Sequence, residues 1–134
     1  MPDGDLIDLV VVGAHLSGMP LNHQLVDLDG QFSRTARTTA DYRLYALAGT
    51  VPPKPGMIRV AEGEGVAIEV EIWRLTPAAF GRFVAAIPAP LGIGTIVLAD
   101  GTSAKGFLCE QVAIGAGAAD ISAYGGWRAY CAKG

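Results

Sequence analysis

The 134-residue sequence predicts one α+β domain, in which a curved sheet or small mixed β-barrel is flanked by a few short helices. Three observations predict this class. Segments with the short, β-branched pattern of strands outnumber segments with a helical pattern. Most connections are glycine- or proline-rich turns, and strands do not alternate regularly with helices as in a doubly wound sheet. We therefore expect a single domain spanning residues 1–134.

The first half of the chain is rich in strand patterns. They occupy residues 6–12, 32–38 and 42–47. The first of them is an apolar, β-branched run that ends at Gly13. Residues 20–26 are compatible with a short helix or a turn. Residues 51–57, VPPKPGM, hold three prolines and a glycine and predict a stiff loop with Lys54 at its middle.

Residues 67–75 alternate with the two-residue period of a strand. One face carries Ile68, Val70 and Ile72, and the other carries Glu69, Glu71 and Trp73. A helix is predicted to follow, because Thr76 can cap its first turn and Pro77 suits its first position. Its apolar stripe is formed by Phe80, Phe83, Val84 and Ile87, and Pro88 ends it.

The last third of the chain predicts a hairpin and an aromatic tail. Residues 95–99 and 105–110 have strand character on either side of Asp100 and Gly101, a favoured hairpin turn. A glycine-rich segment follows at 115–117, and residues 124–130 bring two tyrosines and a tryptophan together.

The charge content excludes some functions and suggests an assembly. The net charge is −3 and no Lys/Arg cluster occurs, which argues against nucleic acid and anionic membranes as partners. The uncharged run 83–99 is too short and too rich in proline and glycine to span a bilayer. Apolar residues make up 51% and charged residues only 17%, so we expect a homo-oligomer or docking on another domain.

The N-terminus lacks the basic and apolar regions of a signal peptide. A cytoplasmic location follows as the expectation, with Cys109 and Cys131 as reduced thiols. No cofactor is expected.

Residues 10–25, VVVGAHLSGMPLNHQL, hold the strongest candidate for a small-molecule site. A buried strand ends there in a tight turn, which brings backbone N–H groups close to a ligand, and both histidines of the chain lie there. His15 is the predicted catalytic residue, since it stands where the strand gives way to the turn. The predicted ligand is a small anion. Its predicted contacts are Gly13, Ala14, Leu16, Ser17, Gly18, Asn22, Gln24 and Lys54.

Other chemistries fit this segment poorly. His15 and His23 lie eight residues apart and the cysteines are distant, so no metal site is predicted. Ser17 is near His15 but lacks the G-x-S-x-G nucleophile motif, and the Gly13-to-Gly18 spacing lacks the Lys-Ser/Thr of a phosphate loop. The alternatives are that Ser17 caps the turn and that a backbone carbonyl satisfies His15.

The strand 67–75 supplies candidate acids. Glu69 and Glu71 share a face, and Glu110 ends a later strand. If that face lines the inside of a barrel, one of the two could act as a general acid; the alternative is a solvated face. Lys54 is either an anion contact or an ordinary exposed loop lysine.

Several segments, in this order, resemble the C-terminal domain of allophanate hydrolases. They are GAHLSGMPLNHQL, YRLYAL, PPKPGMIRV, IEVEIWRL, PAPLGIGTIVLADG, GFLCE and GGWRAY, and the resemblance extends over residues 9–130. That domain belongs to the gamma-glutamylcyclotransferase-like group. The resemblance implies a small β-barrel with flanking helices.

In the broader group, a Tyr-Gly-Ser/Thr-Leu turn after the first strand binds substrate through its backbone. The matching positions here are Val12, Gly13, Ala14 and His15. The catalytic glutamate of the cyclotransferases corresponds to Ile87, which cannot transfer a proton. The resemblance therefore implies a substrate-binding turn and argues against glutamyl cyclisation by the usual mechanism.

In allophanate hydrolases, an amidase domain deaminates allophanate, and the C-terminal domain is implicated in decarboxylating the resulting N-carboxycarbamate. The resemblance implies that this chain is a free-standing or excised copy of that second domain, with an amidase as partner and His15 delivering a proton as CO2 leaves. Two alternatives remain. One is a non-catalytic module that binds a small acid or assembles an amidase. The other is a cyclotransferase-fold enzyme acting on another amide through Glu69 or Glu71.

Overall fold

The structure, a computed structural model, describes residues 5–133. This part of the chain forms eight strands, four short helices and one 3-10 turn. The strands are β1 (Ile7–Val11), β2 (Gln31–Arg37), β3 (Tyr42–Ala46), β4 (Pro55–Arg59), β5 (Glu69–Leu75), β6 (Leu91–Val97), β7 (Ser103–Cys109) and β8 (Ala119–Asp120). The helices are α1 (His23–Val26), α2 (Pro77–Ala85), α3 (Gln111–Ile114) and α4 (Trp127–Ala132), with a 3-10 turn at Ser122–Tyr124. None of the described helices has the length and apolarity needed to cross a membrane.

The larger sheet is built around β1. Its five strands have the order β2-β5-β1-β7-β6, and β1 runs antiparallel to β5 but parallel to β7. Leu9, Val10 and Val11 are fully buried. A continuous β-branched run suits this central position, because both faces of β1 are covered. The turn that follows β1 therefore begins in the middle of the core.

The strands form two sheets, and within residues 5–133 they do not close into the barrel that the sequence predicts. The second sheet has the order β4-β3-β8. In the larger sheet, the edge strands β2 and β6 meet just past their ends, at an isolated bridge between Thr38 and Leu98. The hydroxyl of Tyr42 on β3 accepts a hydrogen bond from the Val97 amide at 2.9 Å and so joins the two sheets. The α+β class is confirmed, in the form of a curled sheet with a smaller sheet against it.

Helix α2 confirms the capping pattern read from the sequence. Thr76 accepts a hydrogen bond from the backbone of Ala79 at 3.2 Å, and Pro77 takes the first helical position. Phe83 is buried, whereas the opposite face of the helix is exposed. The helix thus packs one side on the core and leaves its last turn beside the turn that follows β1.

Two local predictions need correction. The proline-rich segment 51–57 is a loop only as far as Lys54, since β4 begins at Pro55 and pairs with β3. Proline is tolerated at the first residue of a strand because its missing N–H is then not needed by the ladder. In β5 both faces are covered, and Glu71 and Trp73 are each 6% exposed. The solvated face that was the alternative for Glu69 and Glu71 is therefore absent at Glu71, whereas Glu69 is half-buried.

Candidate functional site

An open cleft of about 550 Å³ lies between the turn after β1, helix α2 and the loop before β4. Apolar side chains form most of its wall. The polar residues that line it are His15, Gln24, Lys54 and Arg82, and among the described residues no aspartate or glutamate does so. Ile87 also lies on this wall. The cleft therefore suits a small ligand with negative charge.

A smaller pocket at the turn shares part of its lining with this cleft. It holds about 20 Å³ and is lined by Gly13, Ala14, His15 and Lys54, together with apolar neighbours. The amide of Leu16 closes the turn on the carbonyl of Gly13 at 3.0 Å. The backbone N–H groups of Gly13, Ala14 and His15 donate no hydrogen bond to any residue within 5–133. Backbone donors left free in this way are typical of an anion-binding nest.

Glycine is required at the first position of the turn. A Cβ atom on Gly13 would overlap the ring atoms of Pro55. The turn can therefore approach the start of β4 closely, and this approach brings Lys54 to the mouth of the same pocket. Lys54 is half-buried in the cleft wall, and it makes no salt bridge with the described residues.

His15 is buried and held by several contacts. Its Nε2 lies 2.7 Å from Oε1 of Gln24, and its carbonyl accepts a hydrogen bond from the Asn22 side chain at 2.9 Å. The ring stacks on Phe107 with centroids 5.1 Å apart and meets Phe83 edge-on at 5.0 Å. Gln24 therefore orients the imidazole from within the cleft, and Asn22 fixes its backbone from outside.

The surroundings of His15 favour a neutral ring. Burial lowers its pKa below 6.5, the Gln24 hydrogen bond opposes this shift, and the positive charge of Lys54 adds to it. When Nε2–H donates to Gln24, the neutral ring keeps Nδ1 as an acceptor. Proton donation by His15, as the sequence predicts, thus requires a ligand whose negative charge stabilises the imidazolium.

Glu71 does not line the cleft, and its carboxylate is engaged elsewhere. Oε1 accepts hydrogen bonds from the backbone and the hydroxyl of Ser17 at 2.8 and 2.9 Å, and from the Trp73 indole at 3.1 Å. Oε2 accepts from Arg128 at 2.9 Å. The predicted role as a general acid does not fit a carboxylate with this many donors. Glu69 is half-buried and also lies outside the cleft lining.

The second half of the turn, residues 16–18, does not line the cleft. Leu16 is packed into the core, and Gly18 is exposed with a φ of +81°. The hydroxyl of Ser17 points to Glu71, so the possible nucleophile pair with His15 does not form. The predicted ligand contacts at these three positions are therefore not on the cleft wall. His23 is exposed, and its Nδ1 lies 3.0 Å from the carbonyl of Pro20.

Two functional candidates were missed by the sequence reading. Arg82 lines the cleft from helix α2, and Arg128 on α4 contacts both Glu71 and Ser17. The helical pattern of 76–87 contained a signal for Arg82, because this residue is next in sequence to Phe83, which belongs to the apolar stripe. For Arg128 no local signal exists. Within residues 5–133, no three His, Cys, Asp or Glu side chains are close enough to share a metal ion.

Comparisons with known proteins show the family to which the chain belongs. Residues 7–132 match the model of the allophanate hydrolase C-terminal domain family. Urea amidolyase from Saccharomyces cerevisiae is 43% identical over 126 residues, which make up 92% of this chain and 7% of that protein. The chain thus spans only a small part of the curated relatives it matches.

Solved structures give the same picture. Allophanate hydrolase from Kluyveromyces lactis superposes with a TM-score of 0.91 at 39% identity, covering 94% of this chain and 21% of that chain. A uropathogenic E. coli-specific protein superposes with a TM-score of 0.86 at 39% identity, covering 96% of this chain and 98% of that one. The domain is therefore also found in a chain of nearly the same length.

A more distant likeness concerns the fold alone. A gamma-glutamyl cyclotransferase superposes with a TM-score of 0.56 at 11% identity, covering 78% of this chain and 67% of that one. It confirms the predicted cyclotransferase-like fold. Because the family model covers nearly the whole chain and relatives near 40% identity cover over nine-tenths of it, the chain belongs to the allophanate hydrolase C-terminal domain family.

Proposed function

We propose that the domain binds a small N-carboxylated dianion in the cleft and promotes its decarboxylation, in the manner of N-carboxycarbamate, within urea and allophanate nitrogen metabolism. One observation carries this proposal. The described wall of the cleft brings a histidine, two cationic side chains and unpartnered backbone N–H groups to one space, and no carboxylate opposes them. A doubly charged acid is the ligand that this arrangement favours.

Each carboxylate of the ligand has a place to bind. One carboxylate accepts hydrogen bonds from the backbone of Gly13 to His15, with Lys54 as its counter-charge. The other extends along the cleft towards Arg82, whose guanidinium can bind a carboxylate through two hydrogen bonds. Between them, the nitrogen of the ligand lies against the imidazole of His15.

Decarboxylation of such a compound needs one proton. When the C–N bond breaks, CO2 leaves and the electron pair stays on nitrogen, which becomes the amine of carbamate after protonation. His15 delivers this proton as the imidazolium and regains one from solvent. The two negative charges of the ligand favour the imidazolium and thereby oppose the effect of burial on its pKa.

Mutation of His15 tests the chemical step. An amidase acting on allophanate generates the N-carboxylated product in situ, and CO2 release is followed after addition of this domain. We expect His15→Ala to abolish the release that the domain adds. His23→Ala is the matched control, because His23 is exposed and lies outside the cleft lining. An unchanged rate in the His15 variant would overturn the catalytic role.

A second candidate function is a binding module that does not turn over its ligand. It is favoured by the burial of His15, which lowers the pKa of the imidazole and so opposes its role as a proton donor. Calorimetry with malonate, and with malonamide as its neutral counterpart, distinguishes the two functions. Malonate binding without CO2 release, together with co-purification of an amidase, indicates the module. If neither compound binds, the ligand proposal fails for both functions.

A further inference from the structure

The C-terminal helix reaches the ligand-binding turn through one side chain. Arg128 on α4 donates to the carbonyl of Ser17 at 3.0 Å and to Oε2 of Glu71 at 2.9 Å. Oε1 of Glu71 accepts from the amide and the hydroxyl of Ser17 at 2.8 and 2.9 Å. Ser17 is thus held at its N–H, its C=O and its hydroxyl by two residues that are distant from it in sequence.

Loss of one partner from this network lowers the stability of the folded protein. Glu71 is 6% exposed, and a buried carboxylate without its guanidinium partner is strongly destabilised. The indole N–H of Trp73 adds a fixed donor on the same strand at 3.1 Å. The position of Ser17 is therefore defined by a network with charged hydrogen bonds, whereas an ordinary surface turn is defined by its backbone alone.

The same turn carries the groups that face the ligand. The amide of Leu16 donates to Gly13 at 3.0 Å and the amide of Leu21 donates to Ala14 at 2.8 Å, so the two halves of the turn are joined by hydrogen bonds. A displacement of Ser17 consequently alters the direction of the N–H groups two to four residues before it. Neither Glu71 nor Arg128 lines the cleft, so these residues can change the contacts of a ligand there only through the turn.

We propose that Glu71 and Arg128 are a positioning pair, which holds the turn in the form that presents the backbone N–H groups of Gly13 to His15 to an anion. Helix α4, at the far end of the sequence, is then part of the binding machinery. This inference rests on the proposed function of the turn as an anion site. A purely structural pair would change the melting temperature and leave the ligand affinity of the folded protein unchanged.

The test compares variants of Arg128 in the full chain. Arg128→Met removes both donors and keeps the aliphatic stem, and Arg128→Lys restores a single charged donor. Arg74→Met is the matched control, because Arg74 forms an ion pair with Asp8 at 3.0 Å and its side chain is 45% exposed, against 43% for Arg128. Malonate affinity is measured by calorimetry, the melting temperature by circular dichroism and the titration of His15 by NMR.

We expect Arg128→Met to weaken malonate binding roughly tenfold at a temperature where the protein is folded, and Arg128→Lys to recover part of the loss. In the methionine variant, the pKa of His15 moves up towards 6.5 as its surroundings loosen. Arg74→Met binds malonate as the unmodified protein does. If Arg128→Met does not fold, Arg128→Lys carries the test with a smaller effect in the same direction.

The two readouts separate failure of this inference from failure of the proposed function. If the unmodified protein binds no malonate, the proposed ligand is wrong, and the His15 titration alone decides whether the pair positions the turn. If malonate binds and the folded Arg128 variants match the unmodified protein in both affinity and His15 titration, the positioning role is refuted.

Discussion

The buried imidazole of His15 links the stability of the fold to pH. Its pKa in the folded protein is lower than the unfolded value of 6.5, mainly because of burial. The unfolded chain therefore binds the proton more readily, and stability that is present above pH 6.5 is lost as the pH falls towards the folded pKa. We expect the free energy of unfolding in urea to fall between pH 7 and 5.

In the His15→Gln variant, the part of this loss that His15 contributes is absent. The difference in the free energy of unfolding between the unmodified protein and His15→Gln therefore decreases at acidic pH. His23→Gln is the comparison variant, because His23 is exposed and the loss of stability that buried His15 contributes is still present in it. A parallel pH dependence in the unmodified protein and His15→Gln contradicts the lowered pKa.

Gly13 cannot accept a side chain unless neighbouring atoms move. In Gly13→Ala, the new Cβ would overlap the ring of Pro55, so the turn or the start of β4 must shift. We expect destabilisation by about 1–3 kcal/mol, as for other overpacked sites, and loss of malonate affinity. Gly92→Ala is the control, since a Cβ there meets no atom within 4 Å. Equal melting temperatures and affinities for the two variants would contradict the close packing.

The sequence indicated a segment that lines the cleft, but the structure places some of its predicted ligand contacts away from the cleft wall. The position of Gly13 and His15 in a turn was predictable, because a glycine turn after a buried strand is a local pattern. The role of Glu71 was not, since its partners Ser17 and Arg128 are 54 and 57 residues away along the chain. An alternating pattern specifies which residues share a strand face, but it does not specify what packs on that face.

Elements with strong local signals were predicted best. The cap at Thr76, the helix α2 and the hairpin of β6 and β7 follow from short-range patterns. Strand β4 was missed because three prolines suggest a loop, and only the pairing with β3 makes Pro55–Arg59 a strand. A small barrel was one of two forms predicted from the strand pattern, the other being a curved sheet, and the family resemblance implied the barrel. Whether edge strands pair along their length depends on the curl of the whole sheet, which no local pattern encodes.

Helix α2 offers a test of its contribution to stability. Gly81 lies within the helix on its exposed side, and a Cβ there would meet no atom within 4 Å. We expect Gly81→Ala to stabilise the protein by about 0.5–1 kcal/mol, because alanine loses less backbone entropy in a helix. Gly125→Ala is the contrasting variant and destabilises, since Gly125 has a φ of +76°. Urea denaturation of both variants measures the difference, and a destabilised Gly81→Ala contradicts the expectation.

Across the whole molecule, the site depends on contacts between distant parts of the chain. The turn after β1, the loop before β4, helix α2 and strand β7 each contribute residues to the cleft, and α4 holds the turn from behind. For this reason, single residues of the cleft could be predicted from the sequence, whereas the way in which these elements come together could not. It also means that the two cationic side chains of the cleft, Lys54 and Arg82, belong to different elements, so they can be tested separately.

Lys54 lies at the mouth of the small pocket on the turn, whereas Arg82 lines only the wider cleft. If one carboxylate binds at the turn and the second towards Arg82, Lys54→Met weakens the binding of both malonate and a monocarboxylate such as acetate, roughly tenfold for malonate. Arg82→Met weakens malonate binding and leaves acetate unaffected. The difference arises because a monocarboxylate has no group that reaches Arg82.

Calorimetry with the two ligands, at low and at raised salt, measures these effects. Malonate affinity of the unmodified protein falls more steeply with salt than that of either variant, since each variant has one cation fewer in the cleft. Arg59→Met, at the far end of β4, is the control and binds both ligands normally. If Arg82→Met weakens acetate as much as malonate, the two carboxylates do not occupy separate ends of the cleft, and the ligand must bind in another orientation.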